Sequence, residues 1–135
     1  MNITIIDGQG GQLGAQLIKE ISNKFSNIII TAIGTNSIAT ATMLKAGAKN
    51  AATGENAVIV ASRKADVIVG PVGIVVADSL LGEITDKMAL AIGKSDAIKL
   101  LIPINKCNNI IAGISNLNTK ALIEDTLLKL EDIIK

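Results

Sequence analysis

Histidine, tryptophan and tyrosine are absent from the 135 residues, and cysteine and phenylalanine occur once each, as Cys107 and Phe25. A lone cysteine cannot close a disulfide within the chain. Without histidine, the usual zinc and iron ligand sets cannot be assembled. One aromatic ring gives no platform on which nucleic-acid bases could stack. An excess of one charge is lacking too: 13 Lys and Arg against 12 Asp and Glu leave a net +1. That offers no field for DNA, RNA or an anionic membrane. A membrane span needs about 20 continuous apolar residues. The longest such stretch here, Val67 to Ala77, is broken by Gly70, Pro71 and Gly73. The start of the chain has no basic segment and meets Asp7 after six residues, unlike a signal peptide. A cytoplasmic protein is expected, with neither nucleic acid nor membrane as a partner.

What is present is apolar. Hydrophobic residues make up 49% of the chain and charged ones 19%, which excludes disorder. The length suits one domain, residues 1–135, with a closed core. So apolar a chain with so few charges exposes more hydrophobic area than a monomer tolerates, and a homo-oligomer is expected.

The pattern alternates between strands and helices. Ile3–Ile6 reads as a short buried strand. From Gln12 the period turns helical through Leu13, Leu17, Ile18 and Ile21. Ile28–Ile33 is a second apolar run. A helix follows through Ala39, Met43 and Leu44, and closes at Gly47. Ala48–Ala52 is a weak strand. Ala57–Lys64 has strand propensity, but its place in the alternation favours a helix. Asp66–Val69 is a buried strand, and Ile74–Leu81 and Asp86–Ile92 read as short helices, the second capped by Thr85. Ile98–Ile102 is the next strand, Ile110–Ile114 a last edge strand, and Thr119–Ile134 an amphipathic helix. Continuous apolar strands separated by helices mean a parallel sheet covered on both faces. The expected architecture is α/β: a three-layer Rossmann-like fold with a mainly parallel sheet of five or six strands.

In such a sheet, ligands bind beyond the carboxyl ends of the strands. Those ends carry Asp7-Gly8-Gln9-Gly10-Gly11, Gly34-Thr35-Asn36, Thr53-Gly54-Glu55-Asn56, Gly70-Pro71-Val72-Gly73 and Asn105-Lys106-Cys107-Asn108. All are rich in Gly, Thr or Asn, whereas the amino-end turns are ordinary polar connections. The asymmetry puts a backbone-lined pocket on one edge of the sheet. Gly8, Gln9, Gly10, Gly11, Gly34, Thr35, Asn36, Thr53, Gly54, Asn56, Gly70, Gly73 and Asn105 are its candidate ligand-binding residues. Gly8-x-Gly10-x-x-x-Gly14 lies between strand and helix, where a phosphate meets a helix N-terminus. Leu13 falls where a dinucleotide motif has its third glycine. The second strand ends without the acid that would hold a ribose.

Each of these residues also has a structural reading. Thr35, Asn36 and Thr53 could cap helices. Glu55 is either a general base facing the pocket or a favourable acid in a first helical turn. Asp7 is either tied to loop N–H groups or placed for a ligand. Those two acids are the catalytic candidates. A phosphate beside two carboxylates suggests further jobs for them, such as holding Mg²⁺ or a sugar hydroxyl. Asp78 and Glu83 read as solvated acids at a helix end. Lys106 is a point charge for a phosphate or for water. Cys107, with no histidine or close arginine to activate it, reads as an inert thiol.

The segments "IDGQGG", "IGTN", "ATGENA", "GPVGI", "ADSLLGEIT" and "IPINKCN", in that order over nearly the whole chain, resemble a family of short uncharacterised proteins of anaerobic Gram-positive bacteria. That family is known only as a domain of unknown function, and it brings no activity with it. The middle of the chain, "IGTNSIATATMLKAGA" and then "TGENAVIVASRKADVIV", looks like the phosphate-binding order of methylglyoxal-synthase-like domains. That likeness implies that Gly34 and Thr35 cradle a phosphate and that Glu55 matches the family's acid. The chain lacks the histidine of the synthase pattern, so the likeness implies phosphometabolite binding and not that synthesis. The leading expectation is a protein that binds a phosphorylated small molecule or nucleotide at the carboxyl edge, with or without turnover. The alternative is a non-catalytic assembly or regulatory subunit whose glycine loops are structural.

Overall fold

The computed structural model describes residues 1–104, 108–115 and 117–135. Its strands are β1 (Asn2–Asp7), β2 (Ile29–Gly34), β3 (Asn50–Thr53), β4 (Val67–Pro71) and β5 (Ile98–Ile102), and all pair in parallel. Between and after them run α1 (Gln12–Lys24), α2 (Ser37–Lys45), α3 (Glu55–Lys64), α4 (Asp86–Lys94) and α5 (Thr119–Ile134). The sheet order is β3-β2-β1-β4-β5. The chain therefore builds outward from β1 to β3, crosses back through α3, and continues on the other side of β1. That reversal makes the gap between β1 and β4 the switch point, where loops leave the sheet in opposite directions and open a crevice.

Side chains alternate across each strand and divide the interior in two. Ile3, Ile5, Val67 and Val69 pack with Leu17, Ile18 and Ile21 of α1, Met43 of α2 and Leu122, Ile123 and Leu130 of α5. Ile6, Ile33 and Ile68 pack on the opposite face, with Val58 of α3 and Met88 and Ile92 of α4. The result is the three-layer Rossmann-like architecture that continuous apolar strands predict. Ala57–Lys64 is helical, as α3. Thr85 caps α4 as expected, accepting from the Met88 N–H.

Two elements differ from the sequence reading. Ile110–Ile114 forms no strand: Ile110 is 95% exposed and Gly113 turns the chain at φ 84°. An apolar run that faces water with a glycine turn inside it has no sheet face to bury. The sheet among the described residues thus has five strands. Ile74–Leu81 is not an α-helix either. A single 3₁₀ turn at Val72–Val75 gives way to turns in which Asp78, Leu80 and Leu81 all have positive φ. Leu80 and Ile84 anchor this segment in the core, and its course matters for the site.

Candidate functional site

The register aligns Asp7 with Gly34 and Gly34 with Thr53, so three of the expected strand ends lie side by side. The chain leaves β1 at Asp7, which is buried. Its Oδ1 accepts the Gly8 N–H at 2.8 Å and its Oδ2 accepts the Gly14 N–H at 2.8 Å. Burial pushes its carboxyl above the ordinary aspartate value, the two amides oppose that shift, and the nearby charge of Glu83 adds to it. Asp7 thus clamps both ends of the glycine loop. Gly11, the N-cap of α1, sits at φ 76°, and a Cβ there would lie 2.7 Å from the Ala39 carbonyl oxygen. Gly10 differs: its φ is not left-handed and a Cβ would meet nothing nearer than Gln12 Cγ at 3.9 Å. Within this loop the Gly11 N–H donates to the Gly8 carbonyl. The Gly10, Gln12 and Leu13 N–H groups have no acceptor among the described residues.

Beside these open amides lies a carboxylate that sequence reasoning assigned to solvent. Oε1 of Glu83 accepts from the Gln9 N–H at 2.8 Å, from Thr35 Oγ1 at 2.6 Å and from Asn36 Nδ2 at 2.7 Å. Its Oε2 accepts no hydrogen bond among the described residues. Desolvation raises the Glu83 pKa, but the three hydrogen bonds outweigh it and hold the carboxyl below the usual glutamate value. Asn36 also caps α2 by accepting the Ala39 N–H, and it donates to the Gln9 carbonyl. Gly8 must lack a side chain here, because a Cβ would sit 2.6 Å from Thr35 Oγ1 and 3.0 Å from Glu83 Oε1. One carboxylate oxygen therefore joins the loops that follow β1 and β2 to the segment that follows β4.

A family described as Domain of unknown function (DUF3842) matches residues 2–135. The chain belongs to that family. No curated protein matches it, and the looser likeness to methylglyoxal-synthase-like domains is not shown. Among solved structures, the chain is similar to a dodecameric FMN-dependent UbiX-like decarboxylase from Escherichia coli O157:H7. The identity is 16%, the match covers 98% of this chain and 76% of that one, and the TM-score is 0.49.

Within the family's span, the other candidate residues divide into two groups. Gly8, Gln9, Gly10, Gly11, Thr35 and Asn36 gather around Asp7 and Glu83. Gly34, Thr53, Gly54, Glu55, Gly70 and Gly73 serve other contacts. Glu55 starts α3, and its Oε2 accepts from Thr85 Oγ1 at 2.6 Å, tying α3 to the cap of α4. Thr53 Oγ1 and Thr40 Oγ1 share a hydrogen bond of 2.7 Å, and the Gly54 N–H donates to the Gly34 carbonyl. Asn56 is exposed on α3. Gly70 lets β4 lie close to β1, since a Cβ would fall 2.4 Å from the Ile6 carbonyl oxygen. The Gly73 carbonyl accepts the Ser79 hydroxyl. Asn105, Lys106 and Cys107 lie outside the described residues. Clefts of about 450 Å³ between α3 and α4 and about 460 Å³ between α1 and α5 lie away from this edge. Among the described residues no cluster of three or more His, Cys, Asp or Glu could hold a metal ion. No described helix is long and apolar enough to cross a membrane.

Glu83 is the functional candidate that sequence reasoning missed. The available signal was an acid directly after Gly82, in the segment that follows β4 on the ligand edge. Periodicity cannot reveal that a residue 48 positions beyond Thr35 returns to touch it.

Proposed function

We propose that the protein binds a phosphorylated small molecule or nucleotide at the carboxyl edge of its sheet, with the phosphate on the glycine loop between β1 and α1. The observation that carries this reading is the set of Gly10, Gln12 and Leu13 amides, just before and at the first turn of α1, that have no acceptor among the described residues. Partial positive charge accumulates at such a turn, and an anion satisfies donors that would otherwise rely on water. Their position beside the β1/β4 switch point supports it further.

Gly10 supplies a clean test, because a side chain there meets open space and no strained backbone. Gly10→Val should keep its melting temperature and lose the response to phosphate, since a branched Cβ stands where the anion would approach. Thermal shift with inorganic phosphate, run on both proteins, reads this directly. Saturation at a hundred times Kd adds about 2.7 kcal/mol to the wild type. Equal shifts in both proteins would make the loop a simple turn.

A second reading, an assembly subunit, is favoured by one observation. α2 leaves Ile38 69% and Leu44 52% exposed on its outer face, more apolar surface than a short solvent helix normally presents.

A further inference from the structure

We propose that the cleft between α3 and α4 is a binding site in its own right, for a small anion with an apolar body. It lies on the face of the sheet opposite α1 and α5, and it is independent of the phosphate reading of the glycine loop. Its volume is about 450 Å³, within the roughly 300–1,000 Å³ of small-molecule sites. Residues 59, 62 and 63 of α3 and 87, 90, 91 and 94 of α4 line it. Spacings of three and four place each set on one face of its helix. The floor carries the observation that points to a ligand. Ser62 is 2% exposed, and its hydroxyl is buried with no hydrogen-bond partner among the described residues. Its backbone carbonyl is already taken by the Ser95 hydroxyl at 2.6 Å, which ties the end of α3 to the end of α4. A hydroxyl shut away from water without a partner is costly. It turns about a single bond, so a polar atom seated on the floor can pair with it.

The rim sets the ligand's charge. Arg63, Lys87 and Lys94 are exposed around the opening, and none makes an ion pair or a side-chain hydrogen bond among the described residues. Asp96 is the one acid among the lining residues. Arg63 and Lys94 lie in the last turns of their helices, where the macrodipole favours a cation whatever binds. Lys87 lies in the first turn of α4, where the same dipole disfavours one. Helix stability therefore does not account for Lys87. Between these cations Leu90 is 60% exposed and Ile59 is half-buried. A wholly polar ligand gains nothing from Leu90, and a neutral apolar one gains nothing from the cations. An anionic head on an apolar body uses both.

The probe is octanoate, with acetate and octylammonium as controls, titrated calorimetrically on wild type, Arg63→Ala, Lys87→Ala, Ser62→Ala and Gly10→Val. Wild type should bind octanoate and neither control. Arg63→Ala and Lys87→Ala should each weaken octanoate about tenfold, the loss of one charge-assisted contact. Ser62→Ala should bind octanoate less tightly, yet melt higher than wild type without it, since an unpaired buried hydroxyl is gone. Gly10→Val should bind octanoate as wild type does, which separates this cleft from the glycine loop. Equal binding of octanoate and octylammonium would overturn the proposal and leave only an apolar patch. Loss of octanoate binding in Gly10→Val would move the anion to the loop, and a Ser62→Ala variant that melts lower and binds unchanged would remove the floor contact. If octanoate fails to bind at millimolar concentration, the proposal falls. Dissociation of a multimer by Leu90→Asp in light scattering would then make the cleft an interface between copies.

Discussion

Two carboxylates stand within one loop of each other, and their surroundings push them in opposite directions. Asp7 sits at the end of a buried strand with an amide on each oxygen. Asp7→Asn keeps the shape but turns an –NH₂ toward one of those N–H groups, leaving it without an acceptor. The expected cost is about 1–3 kcal/mol of stability, measured by urea denaturation at neutral pH. Glu83 is held below the ordinary glutamate value by its three donors, against the pull of desolvation. A carboxylate lowered in the folded state stabilises above its unfolded pKa, and that contribution fades as pH falls through the folded value. The wild type should therefore melt higher than Glu83→Gln at pH 7, and the gap should narrow on acidification below the usual glutamate range. A gap unchanged down to pH 3 would show that the three hydrogen bonds do not depend on charge. Asp7 was legible from the sequence as a choice between two roles, and its bonds to the Gly8 and Gly14 amides are those the structural role calls for. Glu83 was illegible because its partners come from two distant loops.

At the scale of elements, strands and long helices were readable because their apolar periods are continuous. β1, β2, β4, β5 and α5 fall close to where the pattern puts them. The segment after β4 was not readable. Ile74–Leu81 reads as a helix, but the chain buries Ile74 and Leu80, with Ile84 beyond that run, packs Val75 partly against them and turns in between. Those turns hold Asp78, Leu80 and Leu81 at φ values of 66°, 55° and 57°, a conformation that costs an L-residue roughly 1–2 kcal/mol. Leu81 is 95% exposed, so its side chain contributes little packing in return. Leu81→Gly should leave stability unchanged or raise it by up to about 1 kcal/mol. A loss above that size in a thermal melt would mean that Leu81 is covered in solution. The same segment carries Glu83, and this accounts for one misreading at two scales: a helix expected there would have placed the acid in solvent.

At the scale of the whole molecule, apolar surface is left uncovered on both faces. Ile38 and Leu44 of α2 lie on one side of the sheet, and Leu90 of α4, 60% exposed, on the other. Self-association is expected, and light scattering at micromolar concentration should give a multiple of 13.9 kDa. A clean monomer would remove the assembly reading. The three hydrogen bonds to Glu83 also bear on the order in which the chain closes. They join residues separated by 74, 48 and 47 positions. Contacts so distant in sequence form only after the entropy of long loops has been lost. β1 must already lie between β2 and β4 before the carboxylate can reach its donors. The Glu83 cluster therefore belongs to the slow, late part of folding, and any partial opening that frees the segment after β4 breaks its three hydrogen bonds.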